Sequence, residues 1–167
     1  MGRLKEATAQ RLNFAKLKES PPAFAISDKE KICASADIIN GLEKINSDTM
    51  FIFIVENDFQ AKVLEAAFKE KPAAVISICG TFSAEKKQKF FQCLETVKFK
   101  TKPDILILFD FGSNGSYSAL KFLSEIEEKF GYGVAFDFYE KKIWDMLIEG
   151  GAEKVFIETV TLLNRHF

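Results

Sequence analysis

Five short apolar runs alternate with amphipathic segments from residue 51 onwards, and this alternation limits the possible folds more than any other feature of the chain. Runs of this length, bounded by turn residues, are typical of buried strands, whereas the segments between them have the apolar spacing of helices. Five β–α units of this kind predict an α/β domain with a parallel sheet that is covered by helices on both faces. The predicted strands are 51–55, 73–79, 104–109, 133–137 and 154–158.

The connections between these strands predict a particular strand order. Right-handed crossovers favour the flavodoxin-like order 2-1-3-4-5, in which the first and third strands are neighbours at the centre of the sheet. All strands of a parallel sheet end at the same edge, and ligands bind there, at the point where the chain reverses its direction of winding. We therefore expect the loops that follow the first and third strands to form the functional site.

Four of the five runs end at or next to an acidic residue. Glu56 and Asp58 follow the first run, Asp110 the third, Asp137 the fourth, and Glu158 ends the fifth. Carboxylate oxygens are preferred ligands of hard cations such as Mg²⁺. The sequence therefore predicts a magnesium site formed by Glu56, Asp58 and Asp110, with the alternative that Asp58 is the N-cap of the following helix.

The first part of the chain has a different pattern. Residues 1–48 are predicted to form a helical N-terminal extension, and residues 49–167 the α/β domain. A Ser-Pro-Pro sequence at 20–22 ends the first helix of the extension, because proline lacks the amide donor that a helix needs. A capping box that begins at Ser27 starts a second helix, whose apolar spacing continues to about residue 46.

Composition limits the partners that we expect. Hydrophobic residues make up 47% of the 167 residues and the formal net charge is -1, so there is no general attraction to nucleic acid or to an anionic membrane. No apolar stretch is long enough to cross a bilayer, and the three cysteines lack metal-ligand spacing and are expected to be free thiols in a reducing compartment. We expect a cytoplasmic protein whose partner is another protein or a second copy of itself, rather than nucleic acid.

Three stretches resemble the receiver domain of two-component response regulators. They are Phe51–Phe59, Pro103–Asp110 and Glu149–Thr159, and together the resemblance covers residues 50–167. In that family, acidic residues after the first strand hold Mg²⁺ beside an aspartate that accepts a phosphoryl group. The resemblance implies that Asp110 is the candidate phosphoacceptor. A hydroxyl after the fourth strand and a lysine after the fifth then hold the phosphoryl group.

The chain departs from the receiver pattern at three of these positions. Asn57 stands at the second acidic position, with Asp58 one residue late; the hydroxyl position falls on Phe136 or Asp137; and Glu158 replaces the lysine. Inverting that charge about 4 Å from a phosphoryl group costs several kcal/mol. With these departures, the resemblance implies a degenerate receiver that is non-catalytic or weakly phosphorylated and acts in signal transduction by binding a protein through its fourth helix and fifth strand.

A second resemblance is to the Toprim domain of primases, topoisomerases and related nucleases. It rests on Glu56 after the first strand, on Asp110 and Gly115 after the third, and on a glycine-containing loop at 78–83. The family has a second aspartate where this chain has Gly112, so efficient cleavage is not expected.

This second resemblance implies a metal-dependent domain that processes nucleic acid, with a degenerate metal site. Glu56 would be the general acid or base and Asp110 would hold Mg²⁺. Three lysines near the start of the helix that follows the second strand would contact phosphates. They are Lys86, Lys87 and Lys89.

Overall fold

The fold is a parallel sheet between two layers of helices. The computed structural model describes residues 39–80, 82–110 and 116–167. The strands are β1 (Phe51–Val55), β2 (Ala73–Ser77), β3 (Asp104–Phe109) and β4 (Gly133–Phe138), and the helices are α1 (Asp58–Ala67), α2 (Ala84–Thr96), α3 (Ser116–Phe130) and α4 (Ile143–His166).

The sheet has four strands in the order β2-β1-β3-β4, and every neighbouring pair is parallel. The prediction of a parallel α/β sheet flanked by helices is therefore confirmed, and β1 and β3 are its central strands. The prediction of a fifth strand is wrong. Residues 154–158 lie in α4, so the described sheet ends at β4.

The physical reason for the missing strand is the spacing of apolar residues on both sides of it. The run Val155–Ile157 is short enough to fit a strand or a helix, but its third member, Ile157, is 45% exposed. The buried residues around it recur at helical spacing and face the sheet as one stripe. They are Val155, Phe156, Thr159, Val160, Leu162 and Leu163.

The paired glycines at 150 and 151 form a break inside α4. Gly150 (φ -153°, ψ 17°) and Gly151 (φ 65°, ψ -161°) have non-helical backbone angles, so α4 consists of two helical halves on either side of a kink. The positive φ of Gly151 is accessible to glycine because it has no Cβ.

Side chains of the central strands alternate between two cores. Phe53 and Val55 of β1 pack with α1 and α4 on one face of the sheet. Ile52 and Ile54 pack with α2 and α3 on the other face. Both faces are therefore buried, which explains why the strands read as continuous apolar runs.

The segment before β1 packs against the edge of the sheet. Asn40 forms an antiparallel bridge with Ser77 at the end of β2, and Leu42–Lys44 form one turn of 3₁₀ helix. Gly41 has φ 93°, and a Cβ there would lie 2.2 Å from the carbonyl oxygen of Val75. The predicted α-helix is therefore wrong over the described residues 39–46, because the close approach requires glycine in a left-handed conformation.

Some predictions concern residues outside those that the structure describes. These are the helices and the Ser-Pro-Pro break within 1–38, and the glycines at 112 and 115. The boundary between residues 48 and 49 stays a prediction. None of the helices in the described stretches is both long and apolar enough to cross a bilayer.

Candidate functional site

The candidate site lies at the carboxyl edge of the two central strands. Glu56 directly follows β1, and Asp110 directly follows β3. Ile54 is paired with Ile107, and continuation of this register places Glu56 level with Phe109, one residue before Asp110. Neighbouring strands lie about 4.8 Å apart, so the backbones of the two acidic residues leave the sheet at adjacent positions of its switch point.

The backbone of Glu56 is fixed from two directions. Its N–H donates to the side-chain oxygen of Gln60 (2.9 Å), and Gln60 is itself buried in the first turn of α1. Its carbonyl oxygen accepts from the N–H of Gly80 (3.0 Å), in the turn that follows β2. The half-buried Glu56 side chain therefore projects from a backbone that both neighbouring elements hold in place.

Asp110 caps a helix that begins far away in sequence. Its Oδ1 accepts from the N–H of Ile143 (3.0 Å), the first residue of α4, across a separation of 33 residues. The local N-cap residue, Lys142, contributes no side-chain hydrogen bond. A carboxylate at this position satisfies a free amide and interacts favourably with the helix dipole. Asp110 therefore has a structural role whatever else it binds.

Asp58 lies in the first turn of α1 and is directed towards β2. The N-cap of α1 is Asn57, whose Oδ1 accepts from the N–H of Gln60 (3.0 Å), so the interpretation of Asp58 as the N-cap is wrong. Both carboxylate oxygens of Asp58 accept from the side-chain amide of Asn40 (2.9 and 3.1 Å), and Oδ1 lies 3.6 Å from Cys79 Sγ. These contacts lie on the side of β1 opposite to β3.

The donors at this edge suit a hard cation. Glu56 and Asp110 supply carboxylate oxygens from neighbouring strands, and Mg²⁺ commonly takes one or two carboxylates together with water. Within the described stretches, no group of three or more His, Cys, Asp or Glu side chains could hold a metal ion. A cation held by Glu56 and Asp110 therefore stays a prediction, as does the three-residue set that includes Asp58.

Two further acidic residues from the sequence prediction are engaged elsewhere. Asp137, in β4, has its Oδ2 2.7 Å from His166 Nε2 and 3.3 Å from an Arg165 nitrogen. Glu158 lies in α4 and pairs with Lys154 one turn away (3.0 Å). The prediction that Glu158 ends a strand at the site is wrong, because this part of the chain is helical.

Phe136 lies in β4 and has an aromatic environment. Its ring centre is 5.5 Å from that of Phe109 and 4.8 Å from that of Phe138. The position that would carry a hydroxyl in a receiver therefore extends the apolar packing between neighbouring strands.

The three lysines that were predicted to contact phosphates have three different environments. Lys86 is buried, with 1% of its surface exposed, and donates to carbonyl oxygens of the turn after β2. Lys87 pairs with Glu125 of α3 (2.9 Å), and Lys89 pairs with Glu85 (2.6 Å).

The burial of Lys86 was missed, although the sequence contains a signal. Lys86, Phe90 and Leu94 are spaced by four residues, and they are the buried residues of α2. A lysine in register with two core residues was therefore the sign that its stem crosses the core.

The cysteines also differ from expectation. Cys79 is disulfide-bonded, so the prediction of free thiols is wrong at this position, whereas Cys93 is free. The thiol-based reason for expecting a reducing compartment no longer holds.

Comparisons with known proteins do not identify a family for this chain. No protein-family model and no curated protein matches the chain. One solved structure is similar, the RNA polymerase domain of the Mycobacterium tuberculosis primase DnaG, with 19% sequence identity and a TM-score of 0.42. The similarity covers 61% of this chain and 32% of that one, so the matched part spans about a third of the primase domain. At this TM-score, the similarity carries no weight for function.

Proposed function

We propose that this chain is a Toprim-like domain that binds nucleic acid through a divalent cation at the carboxyl edge of β1 and β3, without efficient cleavage. The observation that carries the proposal is the exit of Glu56 and Asp110 from neighbouring central strands of a parallel sheet, side by side at its switch point. Asp110 holds the cation and Glu56 is the adjacent acid or base, as the sequence resemblance implies.

The four-stranded sheet supports this proposal over a receiver. A receiver needs a fifth strand whose end carries the residue that grips the phosphoryl group. Here, the corresponding residues belong to α4, and Glu158 is paired with Lys154 on the helix surface. A Toprim-like site needs only the ends of the first and third strands, and the described sheet supplies both of them.

The protein groups of the site have separable tasks. The N–H of Ile143 holds Asp110 Oδ1, which orients the carboxylate and leaves Oδ2 for another partner. The bond that Glu56 N–H donates to Gln60 and the bond that its carbonyl oxygen accepts from Gly80 fix the backbone position from which its side chain leaves the edge. A bound Mg²⁺ would supply the positive charge that phosphate needs, since the net charge of the chain is -1.

Absence of the second family aspartate is the reason to expect binding without efficient cleavage. The sequence has Gly112 at that position. Two-metal chemistry requires carboxylates that hold both cations around the reacting phosphate. With two acidic residues, the site retains one cation and the contact with phosphate that this cation mediates.

The test measures cation-dependent binding of a short fluorescein-labelled single-stranded DNA by anisotropy at low salt. We expect binding in Mg²⁺ that EDTA abolishes, and affinity about tenfold lower or worse in Glu56→Gln and in Asp110→Asn. Asparagine keeps an oxygen that can cap α4, so Asp110→Asn separates the cation from the fold. Glu158→Gln, on the surface of α4, is the matched control and should bind like the wild type. Equal binding in EDTA, or in both site variants, would overturn the proposal.

A second candidate function is favoured by exposed apolar residues on α4. Ile148 is 68% exposed, close to the half-buried Trp144 in the helix that the receiver interpretation assigned to a protein partner. Docking of a protein or of a second copy would cover this side chain. Ile148→Lys should then abolish self-association in sedimentation experiments. A wild-type chain that is monomeric at high concentration would rule out the second copy. Unchanged spectra with beryllofluoride would rule out Asp110 as a phosphoacceptor.

A further inference from the structure

We infer that Lys86 is the positioning residue of the candidate site, because it holds the turn that fixes the backbone of Glu56. The inference concerns the same site as the proposed function, and its consequence for cation binding rests on that proposal. The sequence resemblance gave Lys86 a different part, in which it would contact phosphate. Its environment points to an internal role.

The ammonium group of Lys86 is in an unusual place. Lys86 is 1% exposed and lies on the buried stripe of α2 with Phe90 and Leu94. Removing an ammonium group from water costs several kcal/mol unless hydrogen bonds replace its hydration. The groups that Lys86 contacts must therefore replace the hydration that its ammonium group loses.

Two hydrogen bonds join Lys86 to the turn after β2. Its Nζ donates to the carbonyl oxygen of Ile78 and to that of Cys79 (3.2 Å). These two carbonyls converge because the chain turns sharply: Cys79 has φ 45° and Gly80 has φ 106°. A left-handed conformation is costly for a residue other than glycine, and it persists only where the surroundings enforce it. Charge-assisted bonds from a buried ammonium group contribute to that enforcement, beside the disulfide of Cys79.

The same turn reaches Glu56. The N–H of Ile78 donates to the carbonyl oxygen of Val55 (3.0 Å), and the N–H of Gly80 donates to that of Glu56 (3.0 Å). Lys86 therefore acts on Glu56 through one intervening turn, with each step a hydrogen bond. Its part is to set where the acidic side chain leaves the edge of the sheet.

The first experiment measures amide hydrogen exchange of Gly80 by NMR in Lys86→Met, which keeps the length of the stem and removes the donors. We expect Gly80 to exchange about tenfold faster or more than in the wild type, while the core amide of Leu106 in β3 changes far less. Lys89→Met, an exposed neighbour on α2, is the matched control and should leave both amides unchanged. Equal protection of Gly80 in wild type and Lys86→Met would overturn the inference.

The second measurement separates positioning from general stability. Mg²⁺ affinity should fall several-fold in Lys86→Met and recover in part in Lys86→Arg, which restores donors at the same place. A Lys86→Met chain that folds, loses Gly80 protection and binds Mg²⁺ like the wild type would overturn the role in positioning.

Two outcomes keep this inference distinct from the proposed function. If the wild type binds no Mg²⁺, the proposed function fails, and exchange of Gly80 still decides whether Lys86 holds the turn. If Lys86→Met does not fold, the wild type itself gives the answer through NMR couplings across hydrogen bonds from the Lys86 ammonium group to the carbonyls of Ile78 and Cys79. Their absence would overturn the inference.

Discussion

At the scale of single residues, a buried pair of hydroxyl groups joins the loop after β4 to the second half of α4. Tyr139 Oη lies 2.7 Å from Thr159 Oγ1, and both side chains are buried. Thr159 Oγ1 donates to the carbonyl oxygen of Val155 (2.7 Å), so the tyrosine hydroxyl is the donor to threonine. The pair therefore ties the loop to the part of α4 beyond the kink, through a defined direction of hydrogen bonding.

Removing either member of this pair should have unequal effects. Tyr139→Phe removes one hydrogen bond and should lower the free energy of unfolding by about 1 kcal/mol. Thr159→Val leaves the buried tyrosine hydroxyl without its acceptor and should cost about 2 kcal/mol. The double variant should cost less than the sum, because the unsatisfied hydroxyl is then absent. Urea unfolding of the four proteins measures this, and strictly additive losses would contradict a hydrogen bond between the two hydroxyl groups.

The same pair gives the fold an alkaline limit. Burial raises the pKa of Tyr139 above its ordinary value of 10.0; the hydrogen bond with Thr159 opposes this, and the charges of Asp110 and Glu158 add to it. Because the pKa of Tyr139 is higher in the folded state than in the unfolded state, its contribution to the free energy of unfolding is complete below about pH 10. This contribution is lost as the pH rises towards the pKa of the folded state. Urea unfolding at about pH 9 and about pH 11 measures the change in the free energy of unfolding between the two pH values. The wild type should be less stable at the higher pH, and Tyr139→Phe should not show this decrease. An equal loss in wild type and variant would assign the alkaline limit to other groups.

At the scale of elements, the sequence is informative where burial is complete. Strands 51–55 and 104–109 were predicted with the bounds that the structure has, and the predicted runs at 73–79 and 133–137 differ from β2 and β4 only at their ends. Central strands are apolar on both faces, so their runs are long and clear. Val155–Ile157 is too short to decide between strand and helix, and only the spacing of the buried residues that follow identifies α4.

The candidate site was predictable in its position and not in its contacts. The positions of Glu56 and Asp110 at one edge follow from the strand pattern, because parallel strands end together. The cap from Asp110 to Ile143 spans 33 residues, and the bonds from Asn40 to Asp58 span 18. Contacts of this kind depend on the packing of distant elements, which local spacing does not encode.

The segment before β1 offers a test of how closely an edge is packed. Gly41→Ala would place a Cβ 2.2 Å from the backbone oxygen of Val75, in addition to the strain of φ 93°. Gly131→Ala, at φ 62°, would meet only the flexible end of Lys102 at 3.7 Å. We expect a loss of about 2–3 kcal/mol for Gly41→Ala and about 1 kcal/mol for Gly131→Ala in urea unfolding. Equal losses for the two variants would show that the segment before β1 moves away from β2 without a measurable loss of stability.

At the scale of the whole molecule, two hydrophobic cores share one sheet. Phe156 of α4 lies in the core on one face, with Phe53 of β1, and Phe90 of α2 lies in the core on the other. The only tryptophan, Trp144, has its ring centre 5.4 Å from that of Phe59 on the first face. The central strands contribute side chains to both cores. Unfolding of one core would therefore disrupt the strands on which the other core packs.

This sharing predicts a single unfolding transition. Phe90→Ala opens a cavity in the core opposite to Trp144 and should cost about 3–5 kcal/mol. Because folded domains have only about 5–15 kcal/mol of stability, a loss of this size moves the whole transition. Tryptophan fluorescence and far-UV circular dichroism should therefore shift together to lower urea, as they should in Phe156→Ala, the matched variant on the tryptophan face. A fluorescence midpoint that stays in place in Phe90→Ala would mean that the two faces unfold separately.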